Sequence, residues 1–396
     1  MSDAPGPYPA QPALTVVPVA PVRRRSGIGA FLRLLFLLAF AVSVGLNFAL
    51  LFLLGIVSER GDGALREHYH SGAKTASDKI AIVEVDGLIA EGMIDFARKQ
   101  IDQAASDDHV KAVVLRINSP GGSVTASDDL YRRLCLLRDG DPAKKTHSKP
   151  IVASMASLAA SGGYYIAMAA RPVFAERTTI TGSIGVFAAF PNVSELGNKY
   201  GFHMDVIRAG EMKDSGSMFK PMTPQERQLW QDMVDHAFSG FLAVVEEGRP
   251  ALRGKLREVV IDRMVPVHAA AENVEANGTP AKTTASGEAV KYVRRRADGG
   301  IFTSDIALKI GLVDQIGYLN EAILEAKRVA GLGDNYRAVS YEKPQTLLSS
   351  LLGIEARPVA PQLDASRLAG LAAPRLWYLA PQSEGSVLLS VFGGPR

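Results

Sequence analysis

Ser161 stands among some of the smallest side chains in the protein. The stretch "S-L-A-A-S-G-G-Y-Y" runs from 157 to 165, entered through the apolar run Ile151-Val152-Ala153-Ser154-Met155. A hydroxyl in that setting suits a nucleophile at a strand-to-helix junction. Glycines there let a substrate carbonyl approach the backbone, and free N–H groups at a helix start can meet a developing oxyanion. The same composition also suits a tight turn or a helix packed closely on a sheet. A second glycine pair, Gly121-Gly122 in "N-S-P-G-G-S-V", follows the preceding apolar run. Neither place carries G-x-x-x-x-G-K-[ST] or G-x-G-x-x-G, so a phosphate loop is excluded at both.

A serine nucleophile needs a base. The histidines are His68, His70, His109, His147, His203, His236 and His268, and none lies in a recognisable catalytic motif. His109 and His203 open apolar runs, which puts them at the wrong end of a sheet. Lysine is the other option, because burial in an apolar crevice favours its neutral form. Lys213, in "R-A-G-E-M-K-D-S-G-S", follows a run that reads as a strand. Lys144, Lys145 and Lys149 fall in a loop that reads as solvated, and Lys199 and Lys220 read as surface lysines. Residue type alone leaves Lys213 open as another surface lysine.

The elements that must position these groups alternate. Strands are expected at 79–87, 110–118 and 150–155, with helices at 93–105 and 127–137, the latter capped by Ser127. A strand and turn follow in "T-T-I-T-G-S-I-G-V", then a short helix at 191–201 and a strand at 203–210. A long helix is expected from Pro224 to about Glu247, with Thr223 as its cap and Pro224 at its first position. Helices return at 304–310 and 320–330. The order is that of an α/β layer with parallel pairing, whose ligand sites lie beyond the carboxyl ends of the strands. Both glycine pairs fall at such ends. Residues 271–288 are polar without an apolar period and read as an exposed insertion; apolar clusters such as "L-W-Y-L" beyond 341 need a partner surface.

Ahead of this layer lies a different kind of segment. Residues 1–26 form a Pro/Ala-rich tail ending in Arg23-Arg24-Arg25, and no charge occurs from Leu34 to Val57. That run spans roughly 36 Å as a helix, against a hydrocarbon core of about 30 Å. It reads as an uncleaved anchor over 27–57, longer than the apolar region of a cleaved signal peptide. The preceding arginines place the N-terminus in the cytoplasm and everything after residue 58 outside it. A linker is expected over 58–78. The 396 residues carry a net charge of +3, too balanced to suggest nucleic-acid binding, and 47% are hydrophobic. The single cysteine, Cys135, excludes an intramolecular disulfide and reads as a buried structural thiol. No Cys/His cluster has metal-ligand spacing.

Four motifs occur in order: "L-R-I-N-S-P-G-G-S-V", "S-M-A-S-L-A-A-S-G-G-Y-Y-I-A", "T-I-T-G-S-I-G-V" and "A-G-E-M-K-D". Together they resemble the signal peptide peptidase A family of membrane-anchored serine proteases, over roughly residues 79–335. The resemblance implies a Clp-protease/crotonase-like α/β fold of repeated ββα units, usually assembled as rings. It implies Ser161 as nucleophile, Lys213 as general base, and Ser183 as the hydroxyl that positions the lysine amine. Backbone N–H groups of Gly121, Gly122 and Gly162 would form the oxyanion hole. No cofactor or metal is implied. The implied substrates are cleaved signal peptides and other hydrophobic peptides near the membrane, and the dyad would form within or between subunits. One departure is clear: the family's Gly-Arg turn is replaced by "A-D-G-G-I-F-T-S". Crotonase-type acyl chemistry and a non-catalytic membrane scaffold are the rival readings on the same fold; the first lacks both a basic CoA groove and an acidic or amide residue near the thioester.

Overall fold

The computed structural model describes residues 27–58, 65–266, 289–342 and 376–380. The expected insertion at 271–288 and the tail at 1–26 lie outside them. The chain divides into two compact units, 1–63 and 64–396.

The first unit is the helix α1, Gly27–Ser58. Its stretch Phe31–Leu51 has a mean hydropathy of 2.5 and is long and apolar enough to cross a membrane, a candidate span by length and composition. The polar Asn47 turns its amide back to the Ser43 carbonyl at 2.7 Å, which satisfies one of its donors within the helix.

The second unit is built on a nine-stranded sheet. Its strands are β1 (Arg66–Gly72), β2 (Lys79–Asp86), β3 (Val110–Ser119), β5 (Ile151–Ala160), β6 (Val173–Ala175), β7 (Ile180–Gly182), β11 (Ile301–Thr303), β12 (Gln315–Ile316) and β13 (Arg337–Glu342). The main path runs β1-β13-β2-β3-β5-β6-β12, with β7 branching off β5 and β11 pairing β7. The central pairs β13–β2, β2–β3, β3–β5 and β5–β6 are parallel. Such strands are covered on both faces, so they read as continuous apolar runs. Alternate residues then serve two cores. Ile80, Ile82, Val114 and Val152 face α8 (Leu319–Val329) through Ala322, Ile323 and Ala326. Ala81, Val83, Leu115 and Ala153 belong to the larger core, which takes in α2 (Asp95–Ser106), α3 (Val124–Asp139), α4 (Gly162–Ala167) and α6 (Pro224–Gly248).

Outside this sheet, β4 (Gly121–Ser123) and β8 (Phe187–Ala188) flank β14 (Leu376–Leu379), and β9 (Val259–Pro266) pairs antiparallel with β10 (Ala289–Arg295). The short helices are α5 (Ser194–Tyr200) and α7 (Ser304–Lys309).

Several details differ from the sequence expectations. The cap of α3 is Ser123, whose hydroxyl accepts from Ala126 N at 3.1 Å; Ser127 is inside the helix and buried. Lys149 is buried rather than solvated. Its ammonium donates to the carbonyls of Ala104, Ala105 and Asp107 at 2.6–2.9 Å, closing the C-terminus of α2. Burial pushes its pKa down. Cys135 is only half-buried at the edge of the core, and burial pushes its thiol up. The expected linker holds β1, and β13 continues the sheet past the boundary at 335.

One expected strand is missing. Residues 202–208 have no strand partner among the described residues. Met204 and Val206 alternate with polar neighbours as a strand would, yet Phe202, Met204 and Val206 are about half exposed and Ile207 fully so. A strand needs an edge to pair with, and none of the described edges receives this one.

The cap of α6 is as expected. Thr223 Oγ1 accepts from Glu226 N at 3.2 Å, the Glu226 carboxylate accepts from Thr223 N at 2.9 Å, and Pro224 opens the helix.

Candidate active site

Ser161 ends β5 and begins α4, at φ 55° and ψ −115°. A non-glycine residue with positive φ is strained by about 1–3 kcal/mol and persists only where its surroundings hold it. Here they do. Ser161 N donates to Gly182 O at 2.8 Å, and Ser161 O accepts from Tyr165 N at 2.8 Å. The residue is fully buried, and its Oγ has no hydrogen-bond partner among the described residues. A buried hydroxyl without a partner is costly, and a strained elbow that aims one is the arrangement a nucleophile requires.

The glycines around it are close-packed by necessity. A Cβ on Gly162 would stand 2.5 Å from Ser127 Oγ and 3.1 Å from both Gly121 Cα and Gly122 N. One on Gly122 would meet Ile89 O at 1.7 Å. Gly121, at φ 101°, would strike Gly162 N at 2.6 Å. The two glycine pairs therefore converge beside Ser161, although they come from different strand ends. Gly162 heads α4, where N–H groups lack an intrahelical acceptor. Gly121 N instead donates to Ser119 Oγ at 3.1 Å. Of the three expected oxyanion donors, this leaves Gly122 and Gly162 better placed.

Ser183 is the neighbour of Ser161 across the sheet, because Ala160 pairs with Gly182. It too has positive φ, 53°. Its Oγ donates to Gly299 O at 3.1 Å, and its N to Gly300 O at 2.9 Å. The "A-D-G-G" turn thus clasps Ser183. Arg294, from β10, anchors that turn: Nε and Nη2 reach the Asp298 carboxylate at 2.6 and 3.1 Å, and the guanidinium lies 4.4 Å from the Phe302 ring. The turn has no arginine of its own and takes one from β10. A cavity of about 450 Å³ opens here, lined by Ser183, Gly299, Phe238, Leu379 and Ala380 among others.

Lys213 is placed differently. It sits in the turn after 202–208, and its side chain is exposed. Its N donates to Gly210 O at 3.2 Å. The turn is tied down by its neighbour Asp214, which pairs with Arg208 and with Lys220 Nζ at 2.9 Å; Lys220 also reaches Glu226 at 2.5 Å. The hydrogen bond from Lys220 holds the Asp214 carboxyl below its ordinary pKa. Trp230 Nε1 adds a bond to Ser215 Oγ at 3.0 Å. Within one chain, then, Ser161, Ser183 and the glycines come together, while Lys213 Nζ makes no bond to Ser161 Oγ.

Sequence reasoning missed Ser119, which supports the glycine strand, and left the docking place of the C-terminal tail open between a ring surface and a substrate groove; its β14 lies along that strand. The "L-W-Y-L" cluster was the one signal for the latter. Of the histidines, His109 does precede β3 at the end remote from Ser161; His203 opens no strand, and His268 lies outside the described residues.

The Peptidase family S49 profile matches residues 143–260, and the Clp protease profile residues 73–174. A putative protease of Synechocystis sp. is 32% identical over 276 residues, covering 69% of this chain and 83% of its own length. Protease 4 of Haemophilus influenzae is 31% identical over 66% of this chain, which spans only 36% of that relative. A putative signal peptide peptidase SppA of Enterococcus faecium is 29% identical, covering 70% of this chain and 71% of its own length. The motifs around Ser161 and Gly121, the parallel Clp-like sheet and these matches agree: the chain belongs to peptidase family S49.

Proposed function

We propose that the protein is a membrane-anchored serine endopeptidase with Ser161 as nucleophile and Lys213 as general base. One observation carries the reading: a buried, unpartnered hydroxyl on a strained strand-to-helix elbow, walled by glycines that admit no Cβ. In the proposed reaction, neutral Lys213 takes the Ser161 proton as Oγ attacks a peptide carbonyl. Gly122 and Gly162 N–H groups hold the oxyanion. Protonated Lys213 supplies the leaving amine, and water then cleaves the acyl-enzyme. Losing one such donor costs about 10²–10³ in rate.

The exposed Lys213 and the segment 202–208, which exposes Phe202, Met204, Val206 and Ile207 and has no strand partner among the described residues, support a dyad formed between neighbouring copies in a ring-shaped homo-oligomer. A neighbour's edge would pair that segment and dry the amine. The substrate reading is cleaved signal peptides and similar hydrophobic peptides, in keeping with a candidate membrane span next to the catalytic unit in sequence. Single-pass topology with a cytoplasmic N-terminus rests on Arg23-Arg24-Arg25. The test is peptide hydrolysis by the full chain in detergent, beside Ser161→Ala and Lys213→Ala. Both variants should fall to background. Full activity in either removes the dyad.

A further inference from the structure

Hydrogen bonds tie Ser183 and Ile184 to the Gly299-Gly300 turn. The Ser183 hydroxyl donates to Gly299 O at 3.1 Å, Ser183 N donates to Gly300 O at 2.9 Å, and Gly299 N donates to Ile184 O at 3.1 Å. A hydroxyl has one proton and two acceptor lone pairs. A carbonyl only accepts, so the Ser183 proton is committed to Gly299 O. To any further group in the cavity it lines, Ser183 Oγ offers lone pairs.

Arg294 keeps that carbonyl in place. Its Nε and Nη2 meet the two Asp298 oxygens at 2.6 and 3.1 Å, and Nη2 reaches on to Ile301 O at 3.2 Å. The planar guanidinium thus bridges the residues on either side of the glycine pair. Asp298 also accepts from Gly300 N at 2.9 Å and from Arg295 N at 3.0 Å. Burial works against this carboxylate, yet the bonds from Arg294, Gly300 and Arg295 hold its pKa below the ordinary range. Arg294 is itself seated: Nη1 donates to Tyr292 Oη at 3.0 Å, and the guanidinium covers the Phe302 ring. That ring packs on Gly182, where a Cβ would stand 2.8 Å from Phe302 Cδ2. A Cβ on Gly300 would stand 2.1 Å from Arg294 Nη2, so a glycine at 300 makes room for the guanidinium.

We infer that Arg294 is a positioning residue for the proposed reaction, acting through Ser183: it fixes the Gly299 carbonyl on the Ser183 hydroxyl, and so fixes which way that hydroxyl points. The inference rests on the peptidase reading, with Ser183 holding the amine of the general base. A neutral amine has two N–H donors and one lone pair, and the lone pair must take the Ser161 proton. With its own proton on Gly299 O, Ser183 accepts an N–H from the amine and leaves that lone pair free. With the carbonyl displaced, the same hydroxyl donates to the lone pair and occupies it. This holds whichever copy supplies Lys213.

The experiment is a double-mutant cycle in the full chain in detergent: Arg294→Ala, Ser183→Ala and the two together. The readouts are kcat and KM for an activated peptide ester, whose good leaving group keeps slow variants measurable. Thermal unfolding of each variant gives the folded fraction by which kcat is corrected. Arg294→Ala should lower kcat by about 10–10²-fold, the cost of a slightly misplaced catalytic group, with KM within about twofold. In the Ser183→Ala background the same change should cost less than about twofold. Arg294→Lys, a single-point donor, should recover part of kcat. If Arg294→Ala does not fold, Arg294→Lys takes its place in the cycle, with a smaller loss that also vanishes beside Ser183→Ala. An equal loss in both backgrounds makes Arg294 a structural brace and overturns the inference. Full activity of the folded Arg294 variant, or of Ser183→Ala, overturns it too, and the peptidase stands in each case. No hydrolysis by the unaltered chain and no labelling of Ser161 by an acylating probe overturns the peptidase reading, and the inference with it.

Discussion

The Ser161 elbow and the Lys213 turn are halves of one proposed dyad, yet they are built by opposite means. At the elbow, backbone bonds to Gly182 and Tyr165, a Ser127 side chain and two glycine pairs leave one arrangement available. At the turn, ion pairs on the mostly buried Asp214 carboxylate and one tryptophan bond hold the loop of Lys213, beyond a segment with no strand partner among the described residues. A single chain brings together Ser161 and the glycines proposed as nucleophile and oxyanion donors. The base has its dry surroundings still to gain, and in the proposed ring they come from another copy.

That contrast can be broken in four ways, with decreasing effect. The largest loss should come from Ser161→Ala and Lys213→Ala. Removing the base should cost about 10²–10⁴ in rate, while thermal unfolding shows the stability of Lys213→Ala within about 0.5 kcal/mol of the parent. A large stability loss at Lys213 would mean the turn is a structural brace instead. Next is Gly122→Ala. Its Cβ would overlap Ile89 O, so activity should fall at least as far as for one lost donor, about 10²–10³, with destabilisation of about 1–3 kcal/mol.

The third test lies on the other side of the contrast. Ile207→Asp should leave the fold intact but lower the assembly state by analytical ultracentrifugation, with activity falling in parallel on dilution. Unchanged assembly with full activity would return the base to its own chain. The smallest effect is in acid. Asp214 is held below its usual pKa, so its contribution is complete above the ordinary carboxylate range, near 3.9, and is lost as pH falls through the depressed value. Trp230 emission in a Trp377→Phe background should report the turn loosening there. Asp214→Asn should show the loosened signal already at neutral pH.

The comparison also explains what could be read early. Strands β2, β3 and β5 announce themselves because parallel strands covered on both faces need unbroken apolar runs. The strand-to-helix junction at Ser161 was legible through its small neighbours, and the start of α6 through Thr223 and Pro224, a pattern that is local by nature. Lys149 misled because its loop is polar while its own ammonium is buried on three carbonyls of α2. Residues 203–210 misled because alternation predicts a strand, but pairing depends on an edge that this sequence does not encode locally.

The sequence by itself determined the strand–helix order, the apolar helix at its start and the residue types at both halves of the site. Those are properties of neighbours along the chain: periodicity, capping and side-chain size. Tertiary structure alone decided that the Gly299-Gly300 turn clasps Ser183, that Gly162 packs on Gly121, and that Tyr378 returns from far along the chain to lie on Gly122. Each is a contact between distant residues, and no local pattern records which distant surface a side chain will meet.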